Sequence, residues 1–248
     1  DDEINSKFSK ISDCRMIWGG DKTINLFKKY TTKVNCRDLN FFDRYSMSII
    51  NSEKIIELSE SELYEVASQF YNDTYLVDQA ACSSPNLILW TIRYSKNASK
   101  AFWKSLVKVV KDKKYVISEF AAINKDIFAS KALIKIDKYI DEYNSYENKV
   151  NVVTLKNIPN NIDSFRGMWG FFFEGKIKKL SDIKGFVNKK YQTATYYGMN
   201  SDDIQSKIIN NSIEGIDRIV PFGNSLNIDM IWDGMDLNSM LTRIVHKI

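Results

Sequence analysis

The chain has few of the residues on which cross-linked or metal-stabilised folds depend. Its 248 residues include only 3 cysteines and 1 histidine. An odd number of cysteines without a CxxC spacing predicts neither a disulfide framework nor a zinc site. The single histidine, His246, lies next to the C-terminus, which argues against a cysteine hydrolase with a Cys-His dyad. We therefore expect free thiols, a reducing cytoplasmic setting and no bound metal.

Proline, long apolar runs and a strong charge of one sign are also scarce. The chain has 3 prolines, 44% hydrophobic and 27% charged residues, which is typical of an ordinary folded protein rather than a disordered one. No apolar run approaches the roughly 18 residues that a membrane span needs, and the acidic start is unlike a signal peptide. The net charge of +4 is small, and the lysine clusters are mixed with acids. We expect a soluble, unexported protein that does not bind nucleic acid.

Short apolar runs alternate with segments of helical period, and this alternation predicts an α/β fold. Strands are predicted at residues 15–18, 47–50, 87–92, 150–155, 170–173, 193–197 and 216–220. A helix is predicted to start at Ser59, which forms a capping box with Glu62. Further helices are predicted after a cap at Asn97 or Ser99, over residues 118–143 and 202–210, and from Asp236 toward Val245.

Two adjacent glycines, Gly19 and Gly20, follow the first predicted strand, and Asp21 is in position to cap the helix after them. Glycine allows a ligand to approach the backbone closely, and a helix N-terminus presents unpaired N–H groups to an anion. The same residues also form ordinary tight turns. Taken alone, this pattern leaves a phosphate-binding turn and a structural turn both open.

Cys82 lies in the sequence DQAACSSPN, residues 78–86, directly before an apolar run. A short connection that enters a buried strand often displays reactive side chains. Backbone N–H groups of this turn, together with Ser83 and Ser84, are candidates for lowering the thiol pKa and for holding a developing oxyanion. A lone cysteine is also commonly a packing residue, and the serines are common turn caps. Local sequence leaves nucleophile and packing residue both open.

Three separated blocks resemble the luminescence-type fatty acid reductases, the LuxC-like acyl-CoA reductases of the aldehyde dehydrogenase superfamily. The blocks are IWGGD and FDRYS at residues 17–21 and 42–46, DQAACSSPN at 78–86, and GIDRIVPFG and IWDGMDL at 215–223 and 231–237. They occur in the order found in the family and span nearly the whole chain. The resemblance implies that Cys82 is the nucleophile that accepts the acyl group.

The resemblance also implies an architecture. We expect an aldehyde dehydrogenase-like α/β fold with two Rossmann-like units, of which the cofactor-binding unit is incomplete, because members of the family are about twice as long. Residues 1–77 would be the C-terminal part of the nicotinamide-binding domain, 78–210 the catalytic cysteine domain, and 211–248 a return segment that packs on the cofactor domain. The incomplete part would expose apolar surface, which a second copy or the absent segment would cover, and we expect a homo-oligomer.

The function implied is the NADPH-dependent reduction of a fatty acyl thioester to the aldehyde, with NADH as the alternative cofactor. The substrate would be acyl-CoA or an acyl-protein, supplied by an acyl-protein synthetase or acyl-transfer partner. Gly19, Gly20 and Asp21 would line the phosphate side of the cofactor. Two other hypotheses remain: a cysteine acyl-transfer or relay protein without hydride transfer, and a non-catalytic remnant domain.

Other residues receive structural interpretations. No acidic residue between Gly20 and Cys82 is assigned as a general base, and we expect Asp78 to cap or orient the turn. The aromatic run of Trp169 and residues 171–173 is interpreted as a core strand rather than the floor of an acyl tunnel.

Overall fold

The computed structural model describes residues 1–91 and 96–247. Ile92 of the predicted strand 87–92, and Ile248 at the C-terminus, lie outside the described residues. The chain divides into two compact units, a smaller one of Asp1–Arg44 with Asp229–Ile248 and a larger one of Tyr45–Ile228. Within the described ranges, no helix combines the length and apolar character needed to cross a lipid bilayer.

Helices and strands alternate along most of the chain, as the sequence predicts. The helices are α1 (Asp2–Ile11), α2 (Asp21–Phe27), α3 (Ser52–Ile56), α4 (Glu60–Thr74), α5 (Lys96–Asp112), α6 (Glu119–Ile136), α7 (Ser201–Asn210) and α8 (Leu237–Leu241). The strands are β1 (Cys14–Trp18), β2 (Arg37–Phe41), β3 (Tyr45–Asn51), β4 (Pro85–Thr91), β5 (Ile140–Tyr146), β6 (Val150–Leu155), β7 (Phe171–Lys176), β8 (Tyr191–Tyr197), β9 (Arg218–Pro221), β10 (Ile231–Trp232) and β11 (Met235–Asp236).

The larger unit is built on one seven-stranded sheet with the order β5-β6-β7-β4-β3-β8-β9. All neighbouring strands are parallel except the antiparallel pair β5 and β6 at one edge. Every residue of β3, β4 and β6 is buried. Parallel strands that are covered by helices on both faces are expected to be mostly apolar. This burial explains the apolar runs that the sequence shows at residues 47–50 and 150–155.

Helices cover both faces of this sheet. Phe70 of α4 and Phe102 of α5 belong to one hydrophobic cluster with Ile88 and Trp90 of β4. Leu87 and Leu89, the alternate residues of the same strand, belong to the other cluster, where they are joined by Ala129 and Ala132 of α6 and Ile204 and Ile208 of α7. Since alternate residues of a strand point to opposite faces, the sheet is the middle of three layers.

Helix α4 starts and packs as the sequence predicts. Ser59 is its N-cap and forms the capping box with Glu62. The apolar stripe of the helix faces the core, with Leu63, Val66, Ala67 and Phe70 all buried. This helix ends at Thr74, and the chain then leads to Cys82.

The smaller unit contains a two-stranded parallel sheet, β1 with β2, and the short hairpin of β10 and β11. Leu39, Phe41, Trp232 and Leu237 form its hydrophobic cluster. It also exposes the apolar surface expected of an incomplete unit: Ile4, Phe8 and Ile11, one stripe of α1, are 50%, 61% and 66% exposed.

Several predicted boundaries are wrong. Residues 118–143 do not form one helix: Ser118 is the N-cap of α6, the helix ends at Ile136, and β5 follows. Residues 140–146 alternate between half-buried and exposed side chains and pair with β6, so the tertiary pairing overrides the helical propensity.

The structure also differs from the sequence prediction in two helix caps and in the end of one helix. Helix α5 already begins at Lys96, before either predicted cap. Gly20, not Asp21, is the N-cap of α2, and it makes no side-chain capping bond. Asp236 caps α8 as predicted, but α8 ends at Leu241.

The compact units divide at residues 44/45 and 228/229, while the functional segments expected at 1–77, 78–210 and 211–248 stay a prediction. The reason for this division is that β3 pairs with both β4 and β8, which places residues 45–77 in the larger unit instead of a separate layer with residues 1–44. Likewise, β9 pairs with β8, which keeps the first part of the return segment in the large sheet.

Replacing Phe70 tests how far the larger unit depends on its aromatic cluster. The ring is fully buried, with centroids 5.3 Å from Phe102, 5.5 Å from Phe172 and 5.3 Å from Phe222. Phe70→Ala should lower the free energy of unfolding in urea by about 3–5 kcal/mol, because it leaves a cavity. Phe120→Ala on α6, where the side chain is 77% exposed, is the matched control and should change it by less than about 0.5 kcal/mol. Equal losses in both variants would contradict this packing.

Candidate active site

Cys82 lies in a turn between the end of α4 and the start of β4. Its thiol is free and its side chain is half-buried, and the strand that follows is buried throughout. This is the kind of connection that the sequence predicts for residue 82. The neighbouring strand β7 runs parallel to β4, so the N-terminal ends of both strands lie at the edge of the sheet that carries this turn.

The turn is reached through two left-handed residues, Asp78 with φ 53° and Gln79 with φ 59°. Non-glycine residues rarely adopt this conformation. The Gln79 N–H donates to the carbonyl oxygen of Thr74 at 2.6 Å. This bond pairs one of the last carbonyl groups of the helix and stabilises the reversal of chain direction.

The side chain of Gln79 is fully buried and makes four hydrogen bonds. Its Nε2 donates to the carbonyl oxygens of Pro85 and Phe171, each at 3.0 Å. Its Oε1 accepts from the N–H groups of Gly170 and Phe171, each at 3.1 Å. Every donor and acceptor position of the amide is therefore used. One side chain ties the start of the turn to the first residues of β4 and β7.

The carbonyl groups of the turn are paired. The Ala80 oxygen accepts from the Arg166 guanidinium at 2.5 Å, and the Cys82 oxygen accepts from Ser46 Oγ at 2.7 Å. The Ala81 oxygen accepts from the Ser84 N–H at 3.0 Å. The amides behave differently: among the residues the structure describes, the N–H groups of residues 81, 82 and 83 have no hydrogen-bond partner. The turn thus has free donors and occupied acceptors, an arrangement that favours a negative charge.

The two serines after Cys82 differ in what they can donate. The Ser84 hydroxyl donates to the Asp73 carbonyl oxygen at 2.8 Å, and the Ser84 N–H closes the turn. Both donors are thus engaged inside the protein, where they fix the turn, and the role of Ser84 toward a thioester oxygen stays a prediction. Ser83 is 3% exposed, and its N–H is one of the free donors.

Asp73 joins the cysteine turn to the third sequence block. Its carboxylate is buried and accepts from the N–H groups of Gly223 and Ser225, each at 2.8 Å, while its carbonyl accepts from Ser84. Burial raises the pKa of Asp73 to about 6, against the opposing effect of these backbone donors. Sequence reasoning counts Asp73 among the acids before Cys82 but gives it no role, because only the fold shows that residues 223–225 return to it.

Asp78 orients the turn, as the sequence predicts. Its Oδ1 accepts from the Tyr115 hydroxyl at 2.6 Å, and its carbonyl oxygen accepts from the Trp169 N–H at 2.9 Å. Desolvation and the neighbouring Asp78 both raise the pKa of Tyr115, so the phenol remains a donor. The phenylalanines 171–173 are fully buried in β7, which agrees with the core-strand interpretation of the aromatic run.

Lys125 of α6 is a buried lysine close to the same segment. It is 1% exposed, and its Nζ donates to the carbonyl oxygens of Asn148 and Trp169, each at 2.8 Å. Burial lowers the pKa of Lys125 to about 7, although the negative charge of the nearby Asp126 acts to raise it. Sequence reasoning missed this residue, since nothing in its surroundings distinguishes it from the exposed lysines.

Lys125 should make stability depend on pH. Its pKa is lowered from 10.5 to about 7 on folding, so between these values the unfolded chain binds a proton that the folded chain does not. Stability should therefore rise with pH across this window, by up to about 1.4 kcal/mol per pH unit for this group. Urea unfolding at pH 7, 8 and 9 should show a flatter pH dependence for Lys125→Met than for the wild type. The exposed Lys131→Met on the same helix should keep the wild-type dependence; three parallel curves would refute the role of Lys125.

The predicted cofactor residues lie in the smaller unit, between β1 and α2. A Cβ atom on Gly19 would lie 2.8 Å from Thr23 Cβ, whereas nothing lies within 4 Å of the Cβ position of Gly20. Gly19 is therefore required for packing, and Gly20 leaves the backbone open to a ligand. Asp21 is exposed in the first turn of α2.

In the part of the chain that the structure describes, no group of three or more His, Cys, Asp or Glu side chains is arranged to hold a metal ion. Cys14 lies in β1 and Cys36 just before β2, both half-buried. Desolvation raises the pKa of Cys14, which makes this thiol less reactive.

Comparison with known proteins gives a family and a fold. The family profile described as Acyl-CoA reductase (LuxC) matches residues 1–148. No curated protein matches the chain. Among solved structures, aldehyde dehydrogenase 21 from Physcomitrella patens in complex with succinate aligns with a TM-score of 0.60 and 10% identity, over 91% of this chain and 48% of that one.

Two further dehydrogenases show the same likeness. A 1-pyrroline-5-carboxylate dehydrogenase from Thermus thermophilus aligns with a TM-score of 0.56 and 10% identity, over 89% of this chain and 45% of its own. Succinic semialdehyde dehydrogenase from Streptococcus pyogenes, in complex with NADP+, aligns with a TM-score of 0.56 and 11% identity. The alignment covers 89% of this chain and 50% of that one. The chain spans about half the length of these structures, and it has the α/β fold of the aldehyde dehydrogenases.

Proposed function

Because the chain belongs to the LuxC acyl-CoA reductase family, we propose that it reduces a fatty acyl thioester to the aldehyde through an acyl-enzyme on Cys82. Family membership supports acyl reduction in general. The observation that supports Cys82 as the nucleophile is the turn around it, in which the carbonyls are paired and the amides of residues 81–83 are free.

In the first half-reaction, the Cys82 thiolate attacks the carbonyl carbon of an acyl-CoA or acyl-protein thioester. A bond forms between Sγ and this carbon, and the carbonyl oxygen becomes an oxyanion. The N–H groups of Cys82 and Ser83 are the donors that we assign to this oxyanion. Its collapse breaks the bond to the departing thiolate and leaves the acyl group on Sγ.

When bound, a reduced nicotinamide, NADPH or alternatively NADH, would supply a hydride to the carbonyl carbon of the acyl-enzyme in the second half-reaction. Breaking of the carbon–Sγ bond would then release the aldehyde and restore the Cys82 thiolate. In the smaller unit, Gly20 provides an open backbone and Asp21 a hydroxyl acceptor, and we assign both to the dinucleotide together with Gly19, which shapes the turn.

Replacing the nucleophile tests the first half-reaction. Incubation with radiolabelled hexadecanoyl-CoA should leave a hydroxylamine-labile label on the wild type. Cys82→Ser should reduce this label by about 100-fold or more, because a hydroxyl is a far weaker nucleophile near neutral pH. Cys14→Ser and Cys36→Ser are the matched controls and should retain it. A label that disappears with Cys36→Ser and persists in Cys82→Ser would overturn the assignment.

The fate of the label tests the second half-reaction. When NADPH is added to the labelled full-length protein, the label should leave Cys82 as hexadecanal, detected by chromatography, with NADH as a parallel arm. Transfer of the label to an added thiol, with no aldehyde in either arm, would indicate an acyl-relay protein instead. Absence of any label on Cys82 would indicate a non-catalytic domain.

A further inference from the structure

We infer that Gln79 is a positioning residue for Cys82, whose four side-chain hydrogen bonds hold the cysteine turn in the geometry that acyl transfer needs. This inference rests on the function proposed for Cys82. Gln79 does not touch the reacting atoms, and it acts through the backbone that precedes and follows the turn.

The four hydrogen bonds of Gln79 span the cysteine turn. The Nε2 bond to the Pro85 oxygen links Gln79 to a residue six positions later and closes residues 80–84 into a loop. The other three bonds join the same amide to Gly170 and Phe171 at the start of β7. Both ends of the cysteine loop are thereby fixed to two neighbouring strands of the buried sheet.

The buried amide of Gln79 is held in a costly conformation. Gln79 is fully buried and its backbone is left-handed, a conformation that is unfavourable for a non-glycine residue. A buried amide is also costly unless all its groups are paired. Glycine would satisfy this backbone at less cost. The residue present is one whose side chain has two donors and two acceptors, and all four meet main-chain partners.

The loop must hold the reacting sulfur and the oxyanion donors in a fixed geometry. Attack on a thioester requires Sγ and the oxyanion donors to be fixed relative to one carbonyl group, and a displacement of about 1 Å can reduce the rate by about 100-fold. Alkylation of a thiol by iodoacetamide requires the thiolate but no oxyanion donor. Loss of positioning should therefore slow acylation much more than alkylation.

Gln79→Glu is the sharpest test. Glutamate has the same size and can still accept from Gly170 and Phe171, but a carboxylate cannot donate to the carbonyl oxygens of Pro85 and Phe171. Gln205→Glu on the exposed surface of α7 makes the same chemical change far along the chain and is the matched control. Gln79→Ala is the second variant, because it introduces no charge and leaves room for water to pair the freed groups.

The measurements are the rates at which Cys82 reacts with hexadecanoyl-CoA and with iodoacetamide, at a temperature where thermal unfolding shows every variant to be folded. We expect acylation to fall by about 100-fold in both Gln79 variants and alkylation by less than about five-fold, with Gln205→Glu unchanged in both. Equal losses in the two reactions, or acylation at the wild-type rate, would overturn the positioning role.

Hydrogen–deuterium exchange separates this inference from the proposed function. Two amides of the loop are hydrogen-bonded, that of Ala80 to the Val77 oxygen and that of Ser84 to the Ala81 oxygen. Both should exchange faster in the two Gln79 variants than in the wild type and in Gln205→Glu. If hexadecanoyl-CoA fails to acylate the wild type, the function proposed for Cys82 fails, and exchange alone then decides whether Gln79 holds the loop. Unchanged exchange in both Gln79 variants would refute the inference whatever the acylation result.

Discussion

The backbone groups at the N-terminal edge of a buried parallel sheet need hydrogen-bond partners, and the cysteine turn is arranged around this need. Strands β4 and β7 begin at Pro85 and Phe171, on the side of the sheet where the Cys82 turn lies. The Gln79 amide pairs Pro85, Gly170 and Phe171 there, and Ser46 of β3 links the Cys82 oxygen to the Thr193 N–H of β8. Unpaired, each such group would cost about 1–3 kcal/mol. The position of Cys82 is thus a consequence of how the sheet is terminated.

The same constraint acts further along these strands. Glu174 of β7 is 3% exposed, and its carboxylate accepts from the indole N–H groups of Trp90 and Trp103 and from the hydroxyls of Ser99 and Thr154. Donors from β4, β6 and α5 therefore meet at one buried carboxyl group. Such a network fixes the relative positions of three strands and a helix, because one side chain bonds to all of them. The framework that carries Cys82 is held by polar contacts as well as by its aromatic core.

Much of this framework could be predicted from sequence, because burial leaves a local signal. The apolar runs at 47–50 and 150–155 and the stripe of α4 identify their elements directly. The division of the chain could not be predicted in this way, because it depends on β3 pairing between β4 and β8, which are distant in sequence. The strand at 140–146 was hidden for the same reason: its pairing with β6 decides its structure.

The site shows a similar contrast. The position of Cys82 follows from its motif, whereas the partners of the turn do not, because Gln79, Asp73 and Lys125 are polar residues that sequence patterns assign to the surface. Burial is what distinguishes them, and burial of a polar side chain depends on contacts with residues as distant as 171 and 223. The fold and the motif resemblance were therefore accessible from sequence, and the hydrogen-bond arrangement required coordinates.

The arrangement also bears on why an acyl-enzyme here would await a hydride rather than react with water. Hydrolysis of a thioester needs a base that activates water. The acids nearest to Cys82 in sequence are Asp78, which accepts from Tyr115, and Asp73, which accepts from Gly223 and Ser225. Asp73 is buried beneath these donors, and abstraction of a proton from water would require it to give them up. For the function proposed at Cys82, the free amide donors of the turn would stabilise the oxyanion, while the two carboxylates nearest in sequence are engaged by other partners.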